Sequence, residues 1–382
     1  MNNVQALYNL SPLARLMLVG VGLALVPLAW VRWRHPRGTP WQRVQALTWL
    51  TLFLTFDLIL FGAFTRLTDS GLGCPDWPGC YGHASPVGAQ ADIAAAQSAL
   101  PSGPVTHTKA WVEMVHRYLA TSVGVLILLL AVASWLPRWQ AGRRHRTINP
   151  WWPTLTLLWV GLQGAFGALT VTMKLFPVIV TLHLLGGLLL LALLCVQGVT
   201  TAQREQGLAL VVVSPRVRRL LWVSLALLVL QIALGAWVST NYAVLACRDF
   251  PMCQGRWWPM MNFGQGFELW RPLGLTSTGG SIQFEALTAI HFVHRSMAWV
   301  VLSLLGVLAW RLNCVTALRL QARWLAALVC LQLGTGVSNV VLGWPLGVAV
   351  MHTGGAGALL GVMTWALLAS GTSPSSTSGA FA

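Results

Sequence analysis

Charge is what this chain has little of. Of 382 residues only 9% are charged, and nine are acidic. A soluble domain carries about 25% charged residues, so an ordinary cytosolic enzyme is excluded. Disorder needs low hydrophobicity and high charge, and 56% hydrophobic residues exclude it as well. Several signatures are also missing: there is no Walker loop, no Rossmann glycine pattern behind a strand and no zinc-protease motif. Without a Cys-x-x-Cys-His, covalent attachment of a c-type haem is not indicated. No small-residue cleavage site follows the first apolar run, 13–31, which leads into Arg32, Arg34 and Arg37 and is expected to be retained as a span.

What the chain does have is apolar length. A hydrocarbon core of about 30 Å needs roughly 20 mostly apolar helical residues. Nine segments meet that requirement: 13–31, 44–65, 113–136, 154–172, 176–198, 218–240, 287–311, 322–343 and 346–368. The net charge of +15 would suggest nucleic acid in a soluble protein, but here it follows from arginines gathered in alternate loops. Arg32, Arg34, Arg37 and Arg43 lie in the first loop, and Arg138, Arg143, Arg144 and Arg146 in the third. Arg204, Arg216, Arg218 and Arg219 mark the fifth, and Arg311, Arg319 and Arg323 the seventh. Asp69, Asp76, Asp92, Glu113, Asp249, Glu268 and Glu285 fall on the other side, so the N-terminus is expected outside and the C-terminus inside. The 21 tryptophans suit membrane interfaces, and lipid rather than nucleic acid is the expected surrounding.

The spans repeat. Cys74-Pro75-Asp76-Trp77-Pro78-Gly79-Cys80 returns as Cys247-Arg248-Asp249-Phe250-Pro251-Met252-Cys253, offset by 173 residues. Phe61-Gly62-Ala63 matches Leu234-Gly235-Ala236 at the same offset, and His116-Arg117 matches His294-Arg295 at 178. Gln163 and His183 return as Gln332 and His352, both at 169. The expected fold is an all-α polytopic membrane protein of two tandem four-helix-bundle repeats, preceded by one extra N-terminal helix. The segments are 1–43 (extra helix and basic loop), 44–198 (first repeat), 199–217 (cytoplasmic linker), 218–368 (second repeat) and 369–382 (tail). An even number of spans per repeat places the pseudo-two-fold axis along the membrane normal.

Four histidines fall inside spans: His116, His183, His294 and His352. Intramembrane ionisable residues are costly and usually functional. Each of these lies within about two turns of the outer end of its helix. In each half the two imidazoles can therefore face one another at one level, as axial ligands of a haem do in a four-helix bundle. That pattern, made twice, favours haem ligation over structural packing or a proton path. Gly186, Gly187 and Gly355 lie on the ligand's helix face, where they either admit a flat macrocycle or simply let helices pack. Arg117 and Arg295 are placed either to meet haem propionates or to snorkel to headgroups. Glu113 lies one turn above His116, whereas its counterpart is His291. This lone carboxylate either moves protons in one half only or is an interfacial acid reaching water. Cys74, Cys80, Cys247 and Cys253 are on the oxidising side and can close local disulfides, with a redox or a structural role both open. Cys195, Cys314 and Cys330 read as packing residues, and His35, His83, His107 and His145 as loop residues without a signal.

Taken together, the string Thr65-Arg66-Leu67-Thr68-Asp69-Ser70-Gly71-Leu72-Gly73-Cys74-Pro75-Asp76-Trp77-Pro78-Gly79-Cys80, followed by Glu113, His116-Arg117, His183, His294-Arg295 and His352, resembles the haem A synthase family in its cysteine-containing bacterial form. The resemblance covers 44–368, and the segment 13–31 departs from the family's eight-span plan. It implies an inner-membrane oxidoreductase whose haem sites lie near the periplasmic face. Such an enzyme oxidises a methyl group of haem O to a formyl group by successive hydroxylations, giving haem A for cytochrome oxidase. Carried over residue by residue, His294 and His352 would ligate a haem b cofactor. His116 and His183, with Arg117, would flank the substrate haem, and Glu113 would take part in the oxidation. Haem O synthase and cytochrome oxidase assembly factors are the implied protein partners. Two other classes remain open: a two-haem b-type electron carrier linked to quinone, and a transmembrane thiol–disulfide relay. A repeat-built transporter fits less well, because its coupling residues belong near the midplane.

Overall fold

The computed structural model describes residues 11–136 and 149–372. In chain order its helices are α1 (Ser11–Arg34), α2 (Pro40–Leu67), α3 (Gln90–Ala99), α4 (His107–Trp135), α5 (Trp151–Thr172), α6 (Pro177–Gln206), α7 (Pro215–Thr240), α8 (Phe263–Gly266), α9 (Phe284–Asn313), α10 (Arg319–Val341) and α11 (Leu346–Ala369). Among the described residues, nine of them are long and apolar enough to cross a membrane, one for each expected span. Arg138, Arg143, Arg144, Arg146, His145 and residues 373–382 of the expected tail lie outside the described residues.

Helix ends run beyond the apolar stretches because polar caps extend them into the interface. Pro40 opens α2 behind Thr39, whose hydroxyl and Gln42 form a reciprocal capping box. Ser214 caps α7 ahead of Pro215, its hydroxyl accepting from the Val217 amide. Three expectations are corrected. His107 is not a loop residue but the first residue of α4, because Thr106 accepts a hydrogen bond from the Lys109 amide and caps the helix there. Residues 199–206 are the last turns of α6 rather than linker, and the helix stops only at Gly207, which takes φ 64°. The remaining linker contributes a two-residue strand, β1 (Val211–Val212), paired in parallel with β2 (Ser370–Gly371) directly after α11. Arg218 ties this end together by donating to the carbonyls of Leu367 and Ser370, at 2.6 and 2.9 Å. A cation there also suits the carbonyl end of α11.

Hydroxyls inside the spans are hidden on their own helix. Thr48, Thr51 and Thr55 of α2 each bond the carbonyl four residues back, so these buried groups meet no lipid unpaired. The largest apolar cluster joins the two halves: Ile59, Leu188 and Leu191 pack with Leu228, Ile232, Leu359 and Met363. At the outer end the halves meet through matching positions. Arg66 reaches the carbonyl of Ser239, and the Tyr242 hydroxyl donates to Asp69 at 2.6 Å; each pair is separated by the repeat offset of 173. Arg66 also lies 4.1 Å above the Tyr242 ring. Contact between a residue and its own repeat counterpart requires closeness to the line that relates the halves.

The extra helix α1 belongs to the first half. It runs along α4, where a Cβ at Gly20 would collide with Thr121, and a side chain there would separate the helices. Its first turn reaches the first cysteine loop: Leu16 clusters with Cys74, Cys80 and Met114. Pro12 stands close enough to Gly79 that a Cβ there would lie 3.2 Å from it.

Candidate functional site

Both cysteine loops fold alike. Cys74–Cys80 and Cys247–Cys253 are disulfides. Asp76 accepts from the amides of Tyr81 and Gly82 at 2.6 and 2.7 Å, and Asp249 accepts from Gln254 and Gly255, both at 2.7 Å. The turns need left-handed backbone at Tyr81, Gly82, Gln254 and Gly255, again at the repeat offset. Against the opposing pull of desolvation, the Gly255 and Gln254 amides hold the Asp249 carboxyl below its ordinary range.

Below the loops, the four histidines sit six to ten residues inside α4, α6, α9 and α11. At 1.5 Å per residue that is roughly 9–15 Å from the helix start. Within each half the imidazoles lie in electrostatic reach of one another, His116 with His183 and His294 with His352. Every ring is seated against a glycine of a neighbouring helix. A Cβ at Gly62 (α2) would lie 3.1 Å from His116 Cε1, and one at Gly167 (α5) 3.5 Å from His183 Cε1. In the second half the distances are 2.9 Å from Gly235 (α7) to His294 and 3.4 Å from Gly336 (α10) to His352. These glycines serve by close approach rather than by unusual backbone. In the sequence Gly62 and Gly235 show only as repeated letters, Gly167 and Gly336 draw no notice, and the task of ring seat is visible for none of them. Of the two readings of Gly186 and Gly355, the structure favours close helix packing: a Cβ at either would meet Gln163 or Gln332 of the neighbouring helix.

Glu113 is buried in α4. Its Oε2 accepts from the Cys74 amide at 2.8 Å, and its Oε1 is paired with Arg117. Arg117 is buried too and donates to the carbonyls of Asp76, Pro78 and Gly79 in the cysteine loop. In the second half His291 takes the place of Glu113: its Nδ1 accepts from the Cys247 amide at 3.3 Å. Arg295 donates to the carbonyls of Pro251 and Met252 at 3.0 and 3.1 Å. Both arginines are thus turned to their cysteine loops, one of them through an ion pair that the other half lacks.

Four further polar groups were not singled out from the sequence. Gln231 and Thr335 contact the ring nitrogens of His294 and His352, at 3.1 and 2.8 Å. Arg271 is buried beneath the second outer loop, held by the side-chain oxygen of Asn241 and the carbonyl of Leu275. Burial lowers its pKa, and Glu268 opposes that effect. Asp57, in the membrane part of α2, is half-buried and has Leu230 as its repeat counterpart. A scan for acids within apolar segments would have found it.

Fold and site together define a multi-pass membrane protein with two histidine pairs at similar depth, each beneath a disulfide loop. More narrowly, the chain belongs to the COX15-CtaA family of cytochrome oxidase assembly proteins, whose model matches residues 45–364. It is 40% identical over 320 residues to the heme A synthase of Shewanella oneidensis, covering 82% of this chain and 93% of that one. To the heme A synthase of Rhodospirillum centenum it is 30% identical over 338 residues, covering 82% and 84%. The heme A synthase of Halalkalibacterium halodurans is 28% identical over 304 residues, covering 77% and 86%.

Proposed function

We infer that this chain is a haem A synthase, a membrane oxidoreductase acting in the conversion of haem O to haem A. The carrying observation is the duplicated, glycine-seated histidine pair with a carboxylate above one pair only. In this reading the first repeat, 44–198, receives haem O between His116 and His183, and the second, 218–368, holds haem b between His294 and His352. The second pair suits a resident haem: His352 Nδ1 faces the Thr335 hydroxyl oxygen, which leaves Nε2 for iron, and Gln231 holds the His294 ring and carbonyl in place. A haem b bound there supplies reversible one-electron chemistry.

The chain's own residues then do the rest. Glu113 Oε1, the oxygen shared with Arg117, is the proton acceptor during oxidation of the methyl group, and Arg117 holds the carboxylate in its aim. The Cys74 amide fixes the other oxygen, so that the loop and the base move together. Arg117 and Arg295 orient the haem-covering loops, and propionates of the two haems are their further partners. The four cysteines shape those loops or pass electrons. The arginines of the described inner loops lie at helix ends opposite the cysteine loops, which supports the inner membrane and haem sites toward the periplasm. Haem O synthase and cytochrome oxidase assembly factors are the proposed protein partners.

The test is chromatography with mass detection of haems extracted from the purified chain co-expressed with a haem O synthase. Haem B together with haem O, hydroxylated intermediates or haem A is the expected result. Haem B alone would point to an electron carrier, and the absence of haem to a thiol–disulfide relay.

A further inference from the structure

The two histidine pairs differ in what stands behind them. Thr335 Oγ1 lies 2.8 Å from His352 Nδ1 and donates its single proton to the Leu331 carbonyl at 2.7 Å. A hydroxyl that has spent its proton accepts, so His352 carries its hydrogen on Nδ1 and presents a bare Nε2. Gln231, one helical turn from Gly235 on α7, places its amide nitrogen 3.1 Å from both His294 Nδ1 and the His294 carbonyl. Among the described residues its Oε1 is buried with no partner, so the amide meets His294 through its nitrogen alone and fastens the ring and the backbone of that residue together. Gln332 fastens the His352 carbonyl at 2.9 Å.

Among the described residues, none of these holds exists in the first half. At the repeat offsets Gln231 becomes Leu58 and Thr335 becomes Phe166. His116 Nδ1 and His183 Nδ1 are both buried without a hydrogen-bond partner, as are both amide atoms of Gln163, the counterpart of Gln332. A buried ring nitrogen left without a partner is costly, and a ring lacking that second bond is fixed only by packing. His116 is instead stacked on Phe61, with ring centroids 6.3 Å apart.

We propose that Thr335 and Gln231 are positioning residues that make the second histidine pair a holding site, and that Phe166 and Leu58 in their places make the first pair a releasing site. The distinction between resident cofactor and passing substrate thus lies in the residues behind the rings, since the ring-bearing positions are the same in both halves. The inference rests on the reading of the four histidines as haem ligands. A hydrogen bond from Nδ1–H to a fixed acceptor orients the ring and strengthens its donation to iron, and loss of such a partner typically costs about 10–100-fold in metal affinity.

The test uses the full-length chain purified with its haems. Release of haem b to excess apomyoglobin is followed by absorbance, and the midpoint potential by optical titration. Thr335→Val is expected to release haem b about tenfold faster and to raise the potential. Thr335→Ser restores both, and Gln231→Leu, which frees the His294 ring and carbonyl, speeds release as well. Conversely, Phe166→Thr slows release of haem O from the first half. Thr335→Val and Gln231→Leu proteins with unchanged release and potential would overturn the proposal, as would Thr335→Ser behaving like Thr335→Val. His352→Ala separates the two layers. If the low-spin haem b spectrum survives that change, the ligand assignment is wrong. If the spectrum is lost while Thr335→Val is silent, only the positioning role fails.

Discussion

The two halves of this molecule share their outer architecture and diverge at the centre. Each has a disulfide loop with an aspartate bonding two successive amides, an arginine donating to the loop carbonyls and a residue of the next helix holding the first cysteine amide. That residue is a carboxylate in one half and an imidazole in the other, and the groups behind the histidines are apolar in one and polar in the other. The two cradles are thus alike in build and set apart by a handful of residues, to which the proposed function assigns different tasks.

The sharpest way to break this comparison is to remove one histidine pair at a time. His294→Ala or His352→Ala should abolish the retained low-spin haem b spectrum, whereas His183→Ala should leave it in place. Next in size, Glu113→Ala should lower haem A formation by about 10²–10⁴-fold, the usual range for a general base, with haem b content unchanged. Equal haem A yield from that variant would remove Glu113 from the chemistry.

Smaller effects sharpen the difference between the glycine seats. A Cβ at Gly235 stands 2.9 Å from the His294 ring and must displace it, while one at Gly62 stands 3.1 Å from His116 and needs a few tenths of an ångström of yielding. Overpacking costs about 1–3 kcal/mol, so Gly235→Ala should reduce haem b occupancy roughly tenfold. Gly62→Ala should leave haem b alone and weaken haem O retention less. Smallest of all, Tyr242→Phe removes the hydrogen bond to Asp69 across the halves. It should lower stability by about 1 kcal/mol, measured as a drop in melting temperature with haem content intact.

Much of this was legible before any coordinates. The nine spans follow from hydropathy because a membrane helix needs an apolar run of fixed length, and the duplicated Cys-x5-Cys loops and histidines stand out because the repeat offset barely drifts. Helix ends were less legible: α6 carries on through Gln206 on polar residues that hydropathy alone does not count. Helix α3 is too short and too weakly patterned to announce itself beside a cysteine loop. Thr335 and Gln231 look like ordinary polar residues of a span, and only the helix facing them shows that they contact ring nitrogens. Helix α1 was legible as a span, yet its contact with the first cysteine loop through Pro12 and Leu16 was not.

The sequence by itself determined that the chain crosses a membrane, how many times, on which side its arginines gather and where four intramembrane histidines must sit. Those properties depend on composition and on distance along one helix, both of which are local. The tertiary structure decided which glycine seats which ring, that Glu113 and His291 do the same structural work, and that among the described residues only one histidine pair has partners for its Nδ1 atoms. These are contacts between helices far apart in the chain, and their identity depends on helix rotation and neighbour order. No local pattern encodes either.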